Sequence, residues 1–311
     1  MKLKYIYLLI VLAFVGSKHL VAQQDPMYSM YIFDKMLINP AFSGSSNWAV
    51  TTAKYRQQYM GLNGHPVTQT INFHTPIQKK HLGFGLKIVN DKIAVTSNLN
   101  AAANVSYHLN FAKGKLSLGV EGGIYNRKID YQKLVVLTPN DNALPTTAVS
   151  SLVPDAAWGF YYQRKQMYVG FSQYHLIKQK FNTKTITKGQ GHLATQMNFI
   201  LGNVYDVSKD ISIEPSILLK YQPAVKPQLD LNTTIYYKDL IGVGLQYRTG
   251  DALVGYLKIN ITENIRVAYA YDYTLSKLSG YSKGAHEIIV SYGIKLAPPV
   301  MQKEIHPRYY F

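Results

Sequence analysis

From Trp48 to Leu296 apolar and polar side chains alternate with a period of two, the mark of strands with one apolar and one wet face. In one run Leu99, Ala101, Ala103, Val105, Tyr107 and Leu109 share a face, while Asn98, Asn100, Ala102, Asn104, Ser106 and His108 share the other. In a second, Leu229, Leu231, Thr233 and Ile235 oppose Gln228, Asp230, Asn232 and Thr234. In a third, Ile288, Val290, Tyr292, Ile294 and Leu296 oppose Glu287, Ser291, Gly293 and Lys295. The pattern predicts about fourteen strands, at 48–59, 66–76, 81–90, 95–109, 114–127, 154–163, 165–175, 191–205, 209–221, 227–237, 240–249, 253–261, 264–274 and 285–296. Many reach the roughly 9–11 residues with which a tilted strand crosses a bilayer. Strands of soluble domains are about half as long.

The connections sort by length. Those after even-numbered segments are short: Ile77 to Lys80, Phe111 to Lys113, Arg164, Asp206 to Ser208, Lys238-Asp239 and Glu263. The long ones follow odd-numbered segments: Lys128 to Val153, Leu176 to Gln190 and Leu275 to Gly284. Outer-membrane barrels keep short turns on the periplasmic side and long loops outside. Sorted loops and an even count predict an all-β fold, a transmembrane antiparallel β-barrel of about 14 strands. A soluble sandwich is the competing arrangement of the same strands. Hydrocarbon offers a bare strand edge no partner, so the ring must close.

The chain ahead of the strands reads differently. Lys2 and Lys4, the apolar run Ile6 to Val15 and the small residue of Leu20-Val21-Ala22 predict a signal peptide over 1–22. That run is too short to span roughly 30 Å of hydrocarbon. The remaining expected divisions are an N-terminal plug or periplasmic gate (23–46), the barrel (47–297) and a periplasmic tail (298–311). Asp25 suits a helix N-cap, Pro26 the first turn, and Asn39-Pro40 a stop. Between them Met27, Tyr28, Met30, Tyr31, Ile32, Phe33, Met36, Leu37 and Ile38 point all round. A short helix apolar on every side is buried, and a barrel offers its lumen. The expectation is a short helical plug with Tyr31, Phe33 and Leu37 in contact, the alternative being a misassigned first strand.

Composition narrows the chemistry. The formal charge is +16, or +13 without Lys2, Lys4 and Lys18. For an exported chain, lipid phosphates rather than nucleic acid are the expected anionic neighbours. Twenty-six tyrosines against 11 phenylalanines suit rings placed where lipid meets water. With no cysteine, disulfides and thiolate metal sites are excluded. No catalytic, cofactor or metal constellation stands out. His286-Glu287 lacks a second histidine, and Gly83-Phe84-Gly85 and Gly242-Val243-Gly244 lie inside strands rather than opening helices. Inward-facing Lys87, Lys115, Glu121, Asp230, Lys258, Arg266, Asp272, Glu287 and Lys295 suggest paired charges filling the lumen, or a selective pore. The loop of Lys128 to Val153 carries Leu134, Val135, Val136 and Leu137 in a row, an apolar cluster suited to a partner or to a lid.

Several motifs point one way. Gln24-Asp25-Pro26 and Leu37-Ile38-Asn39-Pro40-Ala41-Phe42-Ser43-Gly44 are followed by Tyr55-Arg56-Gln57-Gln58-Tyr59-Met60-Gly61 and Gly64-His65-Pro66-Val67-Thr68. These, the Gly83 strand, Asp91 and the closing Pro307-Arg308-Tyr309-Tyr310-Phe311 resemble the PorP/SprF family of type IX secretion system membrane proteins. Its pattern falls on Asp25, Pro26, Asn39, Pro40, Gly44, Arg56, Gln57, Gly61 and Pro66, with Tyr59 where the family prefers tryptophan. The resemblance implies a non-catalytic outer-membrane component of the secretion and gliding machinery. It implies as partners secreted proteins with C-terminal sorting domains, and periplasmic lipoproteins among the other components. Two further readings of the residues are a channel or transporter for a small apolar solute and a membrane enzyme.

Overall fold

The computed structural model describes residues 25–77, 80–134, 147–178, 181, 193–223 and 225–296. The expected signal peptide, the expected tail and Val135, Val136 and Leu137 lie outside them.

Fourteen antiparallel strands form one closed ring: β1 Trp48–Gln57, β2 Val67–Ile77, β3 Leu82–Ile93, β4 Thr96–Phe111, β5 Gly114–Asp130, β6 Ala148–Arg164, β7 Met167–Tyr174, β8 Gln196–Asn203, β9 Ile211–Tyr221, β10 Gln228–Tyr237, β11 Ile241–Arg248, β12 Ala252–Asn260, β13 Ile265–Thr274 and β14 Ala285–Lys295. A two-residue strand, Tyr205–Asp206, prolongs the line of β8 against β9. Each strand pairs with its sequence neighbours, and β1 closes on β14 from Trp48 opposite Lys295 to Gln57 opposite His286. No edge faces the membrane along the ring, which is what hydrocarbon demands.

The alternation predicted in the sequence is the alternation of the wall. On β4, Leu99, Val105, Tyr107 and Leu109 are exposed on the outer face, while Asn98, Asn104, Ser106 and His108 are buried on the inner one. Outward tyrosines gather near both rims, with Tyr55, Tyr221, Tyr247 and Tyr273 towards the long loops and Tyr107, Tyr205, Tyr237 and Tyr292 towards the short turns. Two such girdles bracket the apolar belt of an outer-membrane barrel. The protein is an outer-membrane β-barrel.

The two largest boundary shifts are at the starts of β6 and β8. β6 starts at Ala148, inside the predicted long loop, because β5 runs on to Asp130 and Asp130 pairs with Ala148. The short Ala148-Val149-Ser150-Ser151 stretch has no strong contrast between faces, so alternation alone does not reveal it. β8 begins at Gln196 rather than 191. Of the charges expected inside, Lys295 is exposed at the end of β14.

The larger correction concerns the N-terminal segment. It is not an α-helix but three separate 3-10 turns, Tyr31–Phe33, Lys35–Leu37 and Pro40–Phe42. Asp34 and Lys35 sit in its middle and are both buried on polar partners of the wall. Those tethers, and the wall contacts of Asn39 described below, fix an extended, kinked path that a continuous helix could not follow.

Candidate functional site: a segment seated in the lumen

Residues 25–46 run from the long-loop mouth to the short-turn mouth inside the ring, and the seat is built for them. Near the short-turn mouth the wall turns glycines inward. A methyl group at Gly119 would lie 2.4 Å from the Ala41 nitrogen, and one at Gly83 2.0 Å from the Ser43 carbonyl oxygen. A methyl at Gly159 would lie 2.4 Å from Asn39 Oδ1. These strand glycines are therefore where another backbone comes close, the ordinary reason for glycine inside a strand. The Asn39 amide donates to the carbonyls of Phe160 (2.8 Å) and Phe171 (3.3 Å), and its oxygen accepts from the Ala41 N–H at 3.0 Å. Pro40 needs no donor partner. Ser106 donates to the Ser43 carbonyl and Lys115 to that of Ser45 at 3.0 Å. Gly44 has φ +63°, the left-handed turn that releases the chain toward β1.

The middle of the segment carries the apolar contacts. Phe33 meets Tyr256 edge to face with centroids 5.5 Å apart, and Phe42 meets Tyr161 likewise at 5.3 Å. Tyr31 and Met36 are fully buried in the same cluster, and Leu37 is buried beside it. Between these contacts Lys35 faces Glu214 at 3.5 Å, and Lys54 faces Asp34 at 3.6 Å. Asn72 also donates to Asp34, at 2.7 Å.

Toward the long-loop mouth the wall grips by charge. Arg56 spans Asp272 (2.7 Å) and Glu287 (3.0 Å), and Arg248 reaches the same Asp272 at 3.1 Å. Ser29 sits among them, donating to Asp272 at 2.7 Å and accepting from Arg56 and Arg248 at 2.9 and 3.0 Å. Glu287 accepts the backbone N–H groups of Ser29 (2.8 Å) and Met30 (3.2 Å). Charge-assisted bonds of this kind are the stronger class, and here they bind main chain directly. At the rim His175, just beyond β7, stands between two carboxylates, with Nε2 2.8 Å from Asp25 and Nδ1 2.8 Å from Asp155. Burial alone would lower the His175 pKa, but the Asp25 charge and the bond to Asp155 outweigh it and push it up to about 10. Burial works against the Asp25 carboxylate too, and the facing His175 holds it below its ordinary value.

The residues singled out by motif divide accordingly. Asp25, Asn39, Pro40, Gly44 and Arg56 converge on the segment and its seat, and Pro26 follows Asp25 into the lumen. Gln57 instead lies at the end of β1, donating to the Tyr55 hydroxyl. Gly61 (φ +96°) and Pro66, whose carbonyl accepts from Gln58, shape the following loop. Leu134 is exposed just above β5. Sequence reasoning passed over Ser29, Asp34, Lys35, Lys54, Asp155, His175 and Arg248. Strand parity was the available signal for Lys54 and Arg248, since a charge at an inward position cannot face lipid. Among the described residues no three His, Asp or Glu side chains are grouped to hold a metal.

A sequence model of one family, described as "Type IX secretion system membrane protein PorP/SprF", matches residues 20–292. Comparison with curated proteins finds no match. Among solved structures the chain is similar to a Pseudomonas aeruginosa FadL homologue, with 10% identity, TM-score 0.51, and 88% of this chain and 95% of that one covered. The CymD monoaromatic hydrocarbon channel gives 12% identity, TM-score 0.47 and coverages of 84% and 91%. The Pseudomonas putida toluene transporter TodX gives 10%, 0.47, 88% and 95%. At these identities the likeness is one of fold.

Proposed function

The chain belongs to the PorP/SprF family of type IX secretion system membrane proteins, and from that premise we propose that it is a docking and anchoring barrel, which helps deliver secreted proteins to the cell surface and hold them there. Membership makes it an outer-membrane component of that secretion system. The observation supporting docking over conduction is the occupied lumen: residues 25–46 run its length and are held by buried ion pairs at one end and close backbone contact at the other. A barrel filled this way offers partners its loops and rims rather than its bore. The clients would be secreted proteins with C-terminal sorting domains, met on the long-loop side. There the apolar cluster beginning at Leu134 and running through Val135, Val136 and Leu137 is the candidate contact. The short-turn side and the tail would meet the machinery's periplasmic lipoproteins, linking the barrel to gliding.

Affinity purification of the tagged barrel from outer membranes, with identification of what accompanies it, tests the reading. Replacing Leu134 and Val136 by serine should leave assembly and the gel heat-shift intact while surface display of the client falls. Normal display with a normal barrel would remove the loop from the mechanism. Steady solute-dependent conductance by the native protein would favour transport instead.

A further inference from the structure

The long-loop mouth holds a cavity beside Asp25, floored by Leu37 and Ile38 and walled by Tyr28, Tyr125 and Tyr174. We infer that this cavity is a recognition site for a guanidinium or primary ammonium group, such as an arginine or lysine side chain presented by a docking partner.

Three acceptor groups carry the inference. Asp91, on β3, is 4% exposed and lines the cavity. It accepts from the Thr68 hydroxyl at 2.6 Å and is also bonded by the Asn98 side chain, and among the described residues no cation lies within ion-pair distance of it. Asn98 stands directly opposite on β4 and is 3% exposed. Asn100 follows two residues on, hence on the same face. The side-chain carbonyl oxygens of both asparagines are buried without a hydrogen-bond donor. A buried acceptor left unsatisfied costs free energy, and a buried carboxylate without a counter-charge costs more. One ligand group could relieve all three.

The cations already present do not. Lys87 is 2.7 Å from Glu121 and lies over the Tyr174 ring, Lys220 is 3.3 Å from Asp230, and His175 is shared by Asp25 and Asp155. Arg127, opposite Asn98 on β5, lies instead over the Phe181 ring, 5.3 Å from its centroid. The cavity thus sets a carboxylate and two amide oxygens, acceptors all, beside aromatic rings. That arrangement suits a group made only of donors and able to lie against an aromatic face, as guanidinium does best. A bare metal ion fits less well, since Asp91 would be its only carboxylate ligand in this trio. The inference rests on the docking reading only for the source of the cation.

The test uses the full-length barrel in detergent and calorimetric titration. The probes are the blocked tripeptide acetyl-Gly-Arg-Gly-amide, its citrulline counterpart, agmatine and calcium chloride. The arginine tripeptide should bind saturably and the citrulline one at least tenfold more weakly. Asp91→Asn, which keeps shape and removes charge, should weaken binding by roughly tenfold or more, the scale of one charge-assisted bond. Asn100→Asp should tighten it, an outcome that a merely structural role would not produce. Normal heat-shifts of both variants establish that the wall is intact. Binding of agmatine as tight as that of the tripeptide would support the site with a free amine as its source. Equal binding of arginine and citrulline, indifference to both substitutions, or displacement of the tripeptide by micromolar calcium would overturn the inference.

Discussion

Glu287 shows how much of this protein is decided at single side chains. It lies wholly out of water, yet it accepts two backbone N–H groups of the lumenal segment and an arginine. Removing one partner of such a buried pair leaves the other charge uncompensated, at a cost of about 3–5 kcal/mol. Glu287→Ala should therefore lower the urea midpoint of the band-shift transition by that equivalent, and Glu287→Gln by less, since the amide still accepts the backbone donors. The outer face obeys different physics. Val105 is 45% exposed there, and an arginine near the bilayer midplane costs roughly 2–4 kcal/mol. From alternation alone one would expect arginine to be tolerated at neighbouring Asn104, on the wet face. The structure changes that expectation, because Asn104 receives a 2.5 Å bond from Ser43 and has no water to expand into. Val105→Arg should block membrane assembly, whereas Asn104→Arg should permit insertion but expose the segment to protease. Insertion failing equally at both sites would contradict this division. Parity was legible in the sequence; what stands against the inner face was not, since no local pattern ties Ser43 to Asn104, 61 residues away.

The segment of residues 25–46 is the element that sequence reasoning placed near its target and shaped wrongly. Its apolar residues suggested burial, and all of them but the half-buried Met27 are buried. Its caps suggested a helix, but Asp34, Lys35 and Asn39 each answer to a different part of the wall, and those tertiary demands override a weak local propensity. The same dependence makes the element sensitive at both ends. Gly119→Val would push a side chain into the Ala41 backbone, an overpacking worth about 1–3 kcal/mol. It should raise the reactivity of a cysteine placed at Tyr31 in this cysteine-free chain. At the other end the His175–Asp25 contact sets a pH window. His175 has its pKa raised from 6.5 to about 10, so its contribution is complete below about 6.5 and is lost as pH climbs through about 10. Asp25 is lowered, so its contribution is present above about 3.8 and lost as pH falls further. Hydrogen exchange over 25–33, corrected for intrinsic rates, should be slowest between about pH 4 and 6.5 and quicken steadily as pH climbs from there toward about 10. His175→Gln should abolish that alkaline step, and a step that persists in the variant would assign it elsewhere.

For the whole molecule, strand number, order, the sides on which long and short connections fall and the tyrosine girdles could all be read from alternation and spacing, because each follows from a bilayer acting on every strand alike. The filling of the lumen could not, since it depends on which of many inward polar groups meet one another. Its functional corollary is measurable: proteoliposomes carrying the native barrel should neither swell in small sugars nor pass steady current, and ready swelling would mean that the segment leaves its seat unaided. A last consequence concerns the order of events in assembly. The seated segment precedes β1, and β1 is sealed by β14, the last of the described strands, which also carries Glu287. We expect residues 25–46 to be inside when β14 arrives, the wall being wrapped around its own contents rather than filled afterward. One closing step zips the seam and fastens Ser29 and Met30, and a barrel that shut too early would have to reopen along ten residue pairs to correct itself.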